Sequence, residues 1–301
     1  MKRWLKRSAV GLVGLVSIAA ATLIVLGQLG ERKMQRRIDV AVAPVALRSD
    51  ADSVARGRYV FMSRGCTECH GVDGAGKTFI EDANGMLVHA PNITPGEGSA
   101  VKAYTADDWT RTVRHGVKPD GRPAIVMPSE DYARFTDADL ASLVAYVRQM
   151  PAVAAPGATV NFPLPVKALY AVGIVKDAAE RIDHALPPPP DAADAPTARH
   201  GAYLANACTG CHGATLSGGK IPGAPPAWPA AANLTSGEGS AMARYDSAEA
   251  FATMFRTGKR PDGQAVSSVM PFLALKEIND TDVRALYLHL KTLAPKPGGG
   301  R

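Results

Sequence analysis

Residues 65–71 read GCTECHG, and 142 positions further on residues 207–213 read ACTGCHG. Both contain two cysteines three apart with a histidine directly after the second. Together they hold all 4 cysteines of the chain. Zinc takes four ligands, and paired C-x-x-C knuckles normally sit about 15–20 residues apart within one domain. A redox dithiol wants a thioredoxin-like βαβ frame and has no use for the histidine. Covalent haem uses all three side chains. Two cysteines on one helical turn form thioethers to the porphyrin edge, and the following imidazole faces the iron.

The duplication extends well beyond these motifs. The first unit carries Gly57-x-Tyr59, Cys66-x-x-Cys69-His70-Gly71, Asn92-Ile-Thr94-x-Gly96-Glu97-Gly98, Tyr104, Gly116, Asp120-Gly121, Met127-Pro128 and Asp137-x-Asp139. The second carries Gly201-x-Tyr203, Cys208-x-x-Cys211-His212-Gly213, Asn233-Leu-Thr235-x-Gly237-Glu238-Gly239, Tyr245, Gly258, Asp262-Gly263, Met270-Pro271 and Asp280-x-Asp282. The offset stays between 141 and 144 throughout.

Helix signals recur in both units. Asp52 or Ser53 is expected to cap a helix running to Gly65. Thr105-x-x-Asp108 has the form of a capping box, with Gly116 as the stop. Thr136 is expected to open a helix with Leu140, Leu143, Val144 and Val147 on one stripe. The second unit should repeat the plan from Ser247 to Gly258 and from Asp280 to Leu293. No stretch reads as a sheet. Each unit is thus about four short helices with long loops, an arrangement that calls for a staple.

The sixth haem ligand decides function. Met127 and Met270 lie 57 and 58 residues after His70 and His212, each followed by proline in the loop before the last helix. Matched thioethers point to His/Met iron, a closed electron-transferring centre. Met62, Met86, Met150, Met242 and Met254 lack such pairing and read as core packing. His89, His115, His184, His200 and His289 are unpaired between the units and read as surface or capping residues. The Pro91 carbonyl is positioned to orient His70, with Ala232 in its place for His212. Trp109 reads as core and Arg122 as solvated, ahead of any role at haem propionates.

Charge locates the chain. Residues 1–37 hold 8 basic and 1 acidic side chains, leaving 26 basic against 27 acidic in the remainder. A near-neutral body excludes a nucleic-acid footprint. Residues 8–30, SAVGLVGLVSIAAATLIVLGQLG, contain no charge and are long enough to cross a bilayer core of about 30 Å. A retained anchor is favoured by this length. A cleaved signal is the competing reading, its nearest small-x-small site being Ala41-Val42-Ala43 before Pro44. Covalent haem is attached outside the cytoplasm, so the expected location is the inner (cytoplasmic) membrane, single-pass, with the haem domains in the periplasm. The expected division is 1–37 anchor, 45–151 first domain, 152–196 Pro/Ala-rich linker, 197–295 second domain and 296–301 flexible tail. Prolines 187–190 favour an extended spacer, and 166–186 reads as a helix packed on a domain.

C-x-x-C-H-G, N-[IL]-T-x-G-E-G, D-G and M-P in this order resemble the multihaem cytochrome c subunits of membrane-bound bacterial dehydrogenases that oxidise alcohols, aldehydes or gluconate. The likeness covers about 55–151 and 200–294. It implies an all-α fold, two tandem class I cytochrome c domains after an amino-terminal transmembrane helix. It also implies two covalent haem c groups, on Cys66 and Cys69 and on Cys208 and Cys211, with axial pairs His70/Met127 and His212/Met270. By resemblance the chain passes electrons from a membrane-bound or periplasmic dehydrogenase to a quinone-linked or oxidase acceptor, catalyses no bond chemistry itself, and contacts lipid through its first helix. Many members carry three haems, and several are anchored at the carboxyl end, unlike this chain. Two other functions compete: a dihaem subunit feeding a terminal oxidase, and a dihaem peroxidase, against which the repeated Met-Pro argues.

Overall fold

A computed structural model of the chain describes residues 2–300 except 192, 193, 223, 226 and 238. Glu238 of the second N-[IL]-T-x-G-E-G stretch, Ala192 and Ala193 of the linker, Met1 and Arg301 therefore lie outside the described residues. The chain opens with helix α1 (Lys2–Met34), whose most apolar 18-residue stretch has a mean hydropathy of 2.5 and is not buried. It is long and apolar enough to cross a membrane.

Two helical units follow. The first contains α2 (Ala51–Ser63), α3 (Cys66–His70), α4 (Ala106–His115), α5 (Ser129–Tyr132) and α6 (Asp137–Arg148). After α7 (Leu164–Ala171), the second repeats the series as α8 (Ala198–Ala205), α9 (Thr209–His212), α10 (Ala248–Thr257), α11 (Phe272–Leu275) and α12 (Asp280–Thr292). Local chemistry sets most of the ends. Thr105 and Asp108 form a reciprocal capping box, and Gly116 closes α4 in the left-handed conformation at φ 65°. Thr136, Ser247 and Asn279 each accept from the third backbone N–H beyond them. The cap of α2 is Asp50 rather than Asp52 or Ser53. Its carboxylate accepts from the Ser53 amide at 2.9 Å, so Ser53 is the third residue of the helix.

Each unit closes on a crossing of its first and last long helices, α2 on α6 and α8 on α12. Val60, Phe61, Trp109, Leu140 and Val144 fill the first core. Leu204, Phe251, Phe255, Val283 and Leu286 fill the second. The glycine of each G-x-Y landmark makes the crossing possible. A Cβ on Gly57 would lie 1.8 Å from the Ser142 carbonyl oxygen, and one on Gly201 1.9 Å from that of Ala285. Backbone oxygen cannot swing aside as a side chain can. Gly57→Ala is therefore expected to wedge α2 from α6 and destabilise its domain by roughly 2–3 kcal/mol, read as a lowered denaturation midpoint. Gly298, with nothing within 4 Å of such a Cβ, is the control position.

The all-helical expectation needs correction. A three-stranded antiparallel sheet is present, β1 (Thr78–Glu81), β2 (Leu87–His89) and β3 (Thr159–Asn161) in spatial order β1-β2-β3. Val88 pairs with Ile80 on one side and Val160 on the other. Strands of three or four residues are too short to show a two-residue period, and β3 comes from the linker. That linker is correspondingly no free spacer. Phe162 and Tyr170 pack with Val88 of the sheet and Met34 of α1. Instead of one helix over 166–186, α7 is followed by a separate 3-10 turn at Ala178–Glu180.

Helix α7 runs beside the end of α1. Its backbone approaches so closely that a Cβ on Gly30 would meet the Lys167 carbonyl oxygen at 2.1 Å. Lys167 pairs with Glu31 at 2.7 Å and Arg36 with buried Asp177 at 2.8 Å, fastening the first helix and the residues just after it to the linker segment. The expected flexible tail is also tied down. Lys296 offers its carbonyl to Asn233, and that of Gly300 accepts from Thr215 and Ser217.

Candidate functional site

Both C-x-x-C-H segments form a single turn of helix. In the first, α3 spans the motif itself; in the second, a 3-10 turn over Asn206–Cys208 leads into α9. Residues three apart on such a turn share a face, which sets each pair of thiols side by side. All four cysteines are free thiols. Burial pushes Cys66 and Cys208 up to about 12, so both are neutral and packed against the cores rather than poised as thiolates. The glycine after each histidine ends the turn. Gly71 and Gly213 take φ of 74° and 80° and donate to the carbonyls of Thr67 and Thr209. Side chains other than glycine's are strained there.

The imidazoles are oriented alike. Nδ1 of His70 lies 3.1 Å from the Pro91 carbonyl oxygen, and Nδ1 of His212 lies 2.8 Å from that of Ala232. A carbonyl can only accept, so Nδ1 carries the proton and Nε2 the lone pair, the tautomer a metal ligand needs. Burial lowers the His70 pKa, against the opposing pull of the Pro91 carbonyl, and favours the same neutral form.

What holds those carbonyls in place was not read from the sequence. Asn92 is fully buried; its amide donates to the carbonyls of Glu97 and Val153, and its oxygen accepts from the Thr94 amide and hydroxyl. Asn233 and Thr235 repeat the staple, donating to the carbonyl of Lys296. The amides of Ile93 and Leu234 bond to Gly74 and Leu216, in the loops after the histidines. The N-[IL]-T stretch thus fixes the peptide that orients the histidine. An asparagine recurring 22 residues after His70 and 21 after His212 was the available signal.

Met127 and Met270 occupy matching turns. The amide two residues on, Ser129 or Phe272, bonds back to the methionine carbonyl at 2.8 Å in each case. Pro128 at φ −79°, ψ 61° and Pro271 at φ −77°, ψ 73° have the dihedrals of an inverse γ-turn. Proline sets φ there. Met127 is half-buried against the first core.

The remaining methionines divide as packing residues. Met150, Met242 and Met254 are buried, and Met62 and Met86 lie against the cores. Trp109 is a core residue, edge-on to Tyr104, and Arg122 is exposed and paired with Asp120 at 2.6 Å. Two histidines depart from the surface reading. His200 is buried with Nε2 at 2.7 Å from Asp282, and buried His115 faces His184, their Nδ1 atoms 3.0 Å apart.

Among the described residues the one cluster of three His, Cys, Asp or Glu ligand atoms is Asp194, His200 and Asp282, which includes no cysteine. The thiols therefore do not converge into a zinc knuckle. Paired thiols on one turn, an Nε2 lone pair beside them and a thioether on a proline-set turn suit a covalently held haem. Few other groups use that donor set.

Helical domains built round such segments define a class of covalent-haem electron carriers. A family model described as cytochrome c matches residues 54–151 and 198–294. The chain belongs to the cytochrome c family, and haem c is the group that membership implies. Electron transfer is the role that membership implies for the two matched domains. The chain is 28% identical over 281 residues to the fructose dehydrogenase cytochrome subunit of Gluconobacter japonicus, covering 86% of this chain and 56% of that one. It is 27% identical to the gluconate 2-dehydrogenase cytochrome c subunit of Pantoea cypripedii, covering 81% and 60%. Against the cytochrome c subunit of the quinone alcohol dehydrogenase of Gluconobacter oxydans (strain 621H) the identity is 26%, covering 83% and 57%. The chain thus spans under two thirds of the length of these relatives.

Proposed function

We propose that the protein is a dihaem c-type cytochrome, with domains over 45–151 and 197–295, that carries electrons from a partner dehydrogenase towards the respiratory chain. Cys66 and Cys69, and Cys208 and Cys211, form the thioethers. His70 and Met127 ligate one iron, His212 and Met270 the other. The observation that carries this reading is the match between units: each histidine has its tautomer set by a loop carbonyl, and each methionine sits on a proline γ-turn. Haem c so held would supply one-electron chemistry.

The chain's own contribution would be an imidazole and a thioether for each iron, from His70 and Met127 and from His212 and Met270. Closed His/Met sites suit electron transfer over oxygen chemistry. Helix α1 anchors the chain in the inner membrane and the haem domains face the periplasm, a placement supported by its apolar length and by the dehydrogenase subunits among the relatives. The test is gentle detergent extraction followed by mass and cofactor analysis. A haem-stained chain heavier than the polypeptide by two haems, co-purifying with a flavin, quinone-cofactor or molybdenum subunit, is expected. Co-purification with a copper–haem oxidase instead would remove the dehydrogenase partner.

A further inference from the structure

Two repeated landmarks have no part in haem binding: the tyrosine of G-x-Y and the second aspartate of D-x-D. They meet across the domain boundary. The Tyr59 hydroxyl donates to Asp282 Oδ2 at 2.6 Å. The Tyr203 hydroxyl donates to Asp139 Oδ2 at 2.5 Å. Each tyrosine thus binds the aspartate of the other unit, the reciprocal pattern of a two-fold interface within one chain. Each aspartate also holds a partner in its own unit, Arg56 for Asp139 at 2.7 Å and His200 for Asp282 at 2.7 Å.

Arg64 breaks the symmetry. Buried at 8% exposure, it crosses to Asp282 at 3.0 Å. Asn206, its counterpart, instead bonds its own helix at the Tyr203 carbonyl. Beside this cluster each attachment helix rests on the other unit's post-methionine helix, α3 on α11 and α9 on α5. The fit is close: a Cβ on Gly210 would lie 2.8 Å from Asp131 Oδ1. Buried ion pairs add little net stability, because desolvation offsets attraction, but they fix register where an unpaired alternative is costly.

We infer that Tyr59–Asp282, Tyr203–Asp139 and Arg64 are positioning residues that clamp the two domains into one body, holding the two haem-attachment helices at a set spacing for electron exchange inside the molecule. The inference rests on the dihaem reading. The exchange is balanced within the chain: one electron leaves a ferrous centre in one domain and reduces a ferric centre in the other, with no proton or bond transferred. Interdomain geometry then governs the exchange, and diffusion of a tethered domain does not.

The experiment uses the full-length holoprotein in detergent. Soret circular dichroism reads the fixed spacing and angle between two chromophores, and calorimetry reads whether the domains unfold together. Wild type is expected to show a coupled Soret couplet and one unfolding transition. Arg64→Glu, which sets a carboxylate against Asp282, is expected to reduce the couplet at least two-fold and split the transition. The milder Tyr59→Phe/Tyr203→Phe pair should move both readouts the same way while haem content and methionine ligation stay unchanged. A couplet and a single transition that persist in both variants would overturn the clamp, as would separate transitions in wild type. Fewer than two haems per wild-type chain would count against the dihaem reading alone, since calorimetry still reads the clamp.

Discussion

Replacing Cys208 and Cys211 together by serine is expected to halve the covalently bound haem and to unfold the second domain while the first survives. The second core is built from α8, α10 and α12 around Phe251, Phe255 and Leu286, with Cys208 packed at its margin. Helices α9 and α11 are only four residues each. A domain of this size with such a core needs a staple, and loss of a covalently held group belongs among the rare changes costing more than about 4 kcal/mol. Pigment per chain on a denaturing gel and a smaller unfolding enthalpy in the calorimetric transition, that of the first domain alone, are the measurements. Full haem retention in the serine variant would end the assignment. The first domain should remain coloured because its own α2–α6 crossing and its sheet are independent of α9.

Met127→Leu is expected to leave the fold intact and open one iron. Leucine matches methionine in volume, so the packing cost stays under about 1.5 kcal/mol. What disappears is the thioether, and with it the ligand that raises the potential of a His/Met centre. About half of the haem should then bind carbon monoxide in the reduced protein at neutral pH, whereas wild type should bind none. The methionine-to-iron charge-transfer band should fall by half, and the potential of that centre should drop. Met270→Leu should produce the same changes in the other half, and the double variant should react throughout. A Met127→Leu protein that still excludes carbon monoxide and keeps the full band would show that another side chain closes the first iron.

These expectations trace back to signals of different range. The capping box at Thr105 and Asp108, the glycine stops and the C-x-x-C-H turns involve residues within four or five positions, so they are legible in sequence. Register between the two copies made Met127 and Met270 stand out from the other methionines. The cap of α2 shifted to Asp50 because Asp50, Asp52 and Ser53 are all competent caps within four positions, and only the backbone path decides where the helix begins.

Other features depend on segments far apart in the chain. Strand β3 lies some 70 residues from β2 and is held by its pairing with Leu87, Val88 and His89, not by any local period. His200 looks like any helix-borne histidine until Asp282 is brought 2.7 Å from it. The G-x-Y landmark was visible as a repeat, yet its two residues serve different contacts, glycine within a domain and tyrosine between domains.

By itself, then, the sequence determined the duplication, the two C-x-x-C-H turns, the matched Met-Pro pairs and the apolar first helix, because each is written in composition or in short spacings. The tertiary structure alone decided that the linker is docked on α1, that a small sheet exists, and that the two units exchange tyrosine–aspartate bonds. Those outcomes follow from loop closure and burial over long chain separations, where many pairings satisfy the same local pattern and only packing selects one.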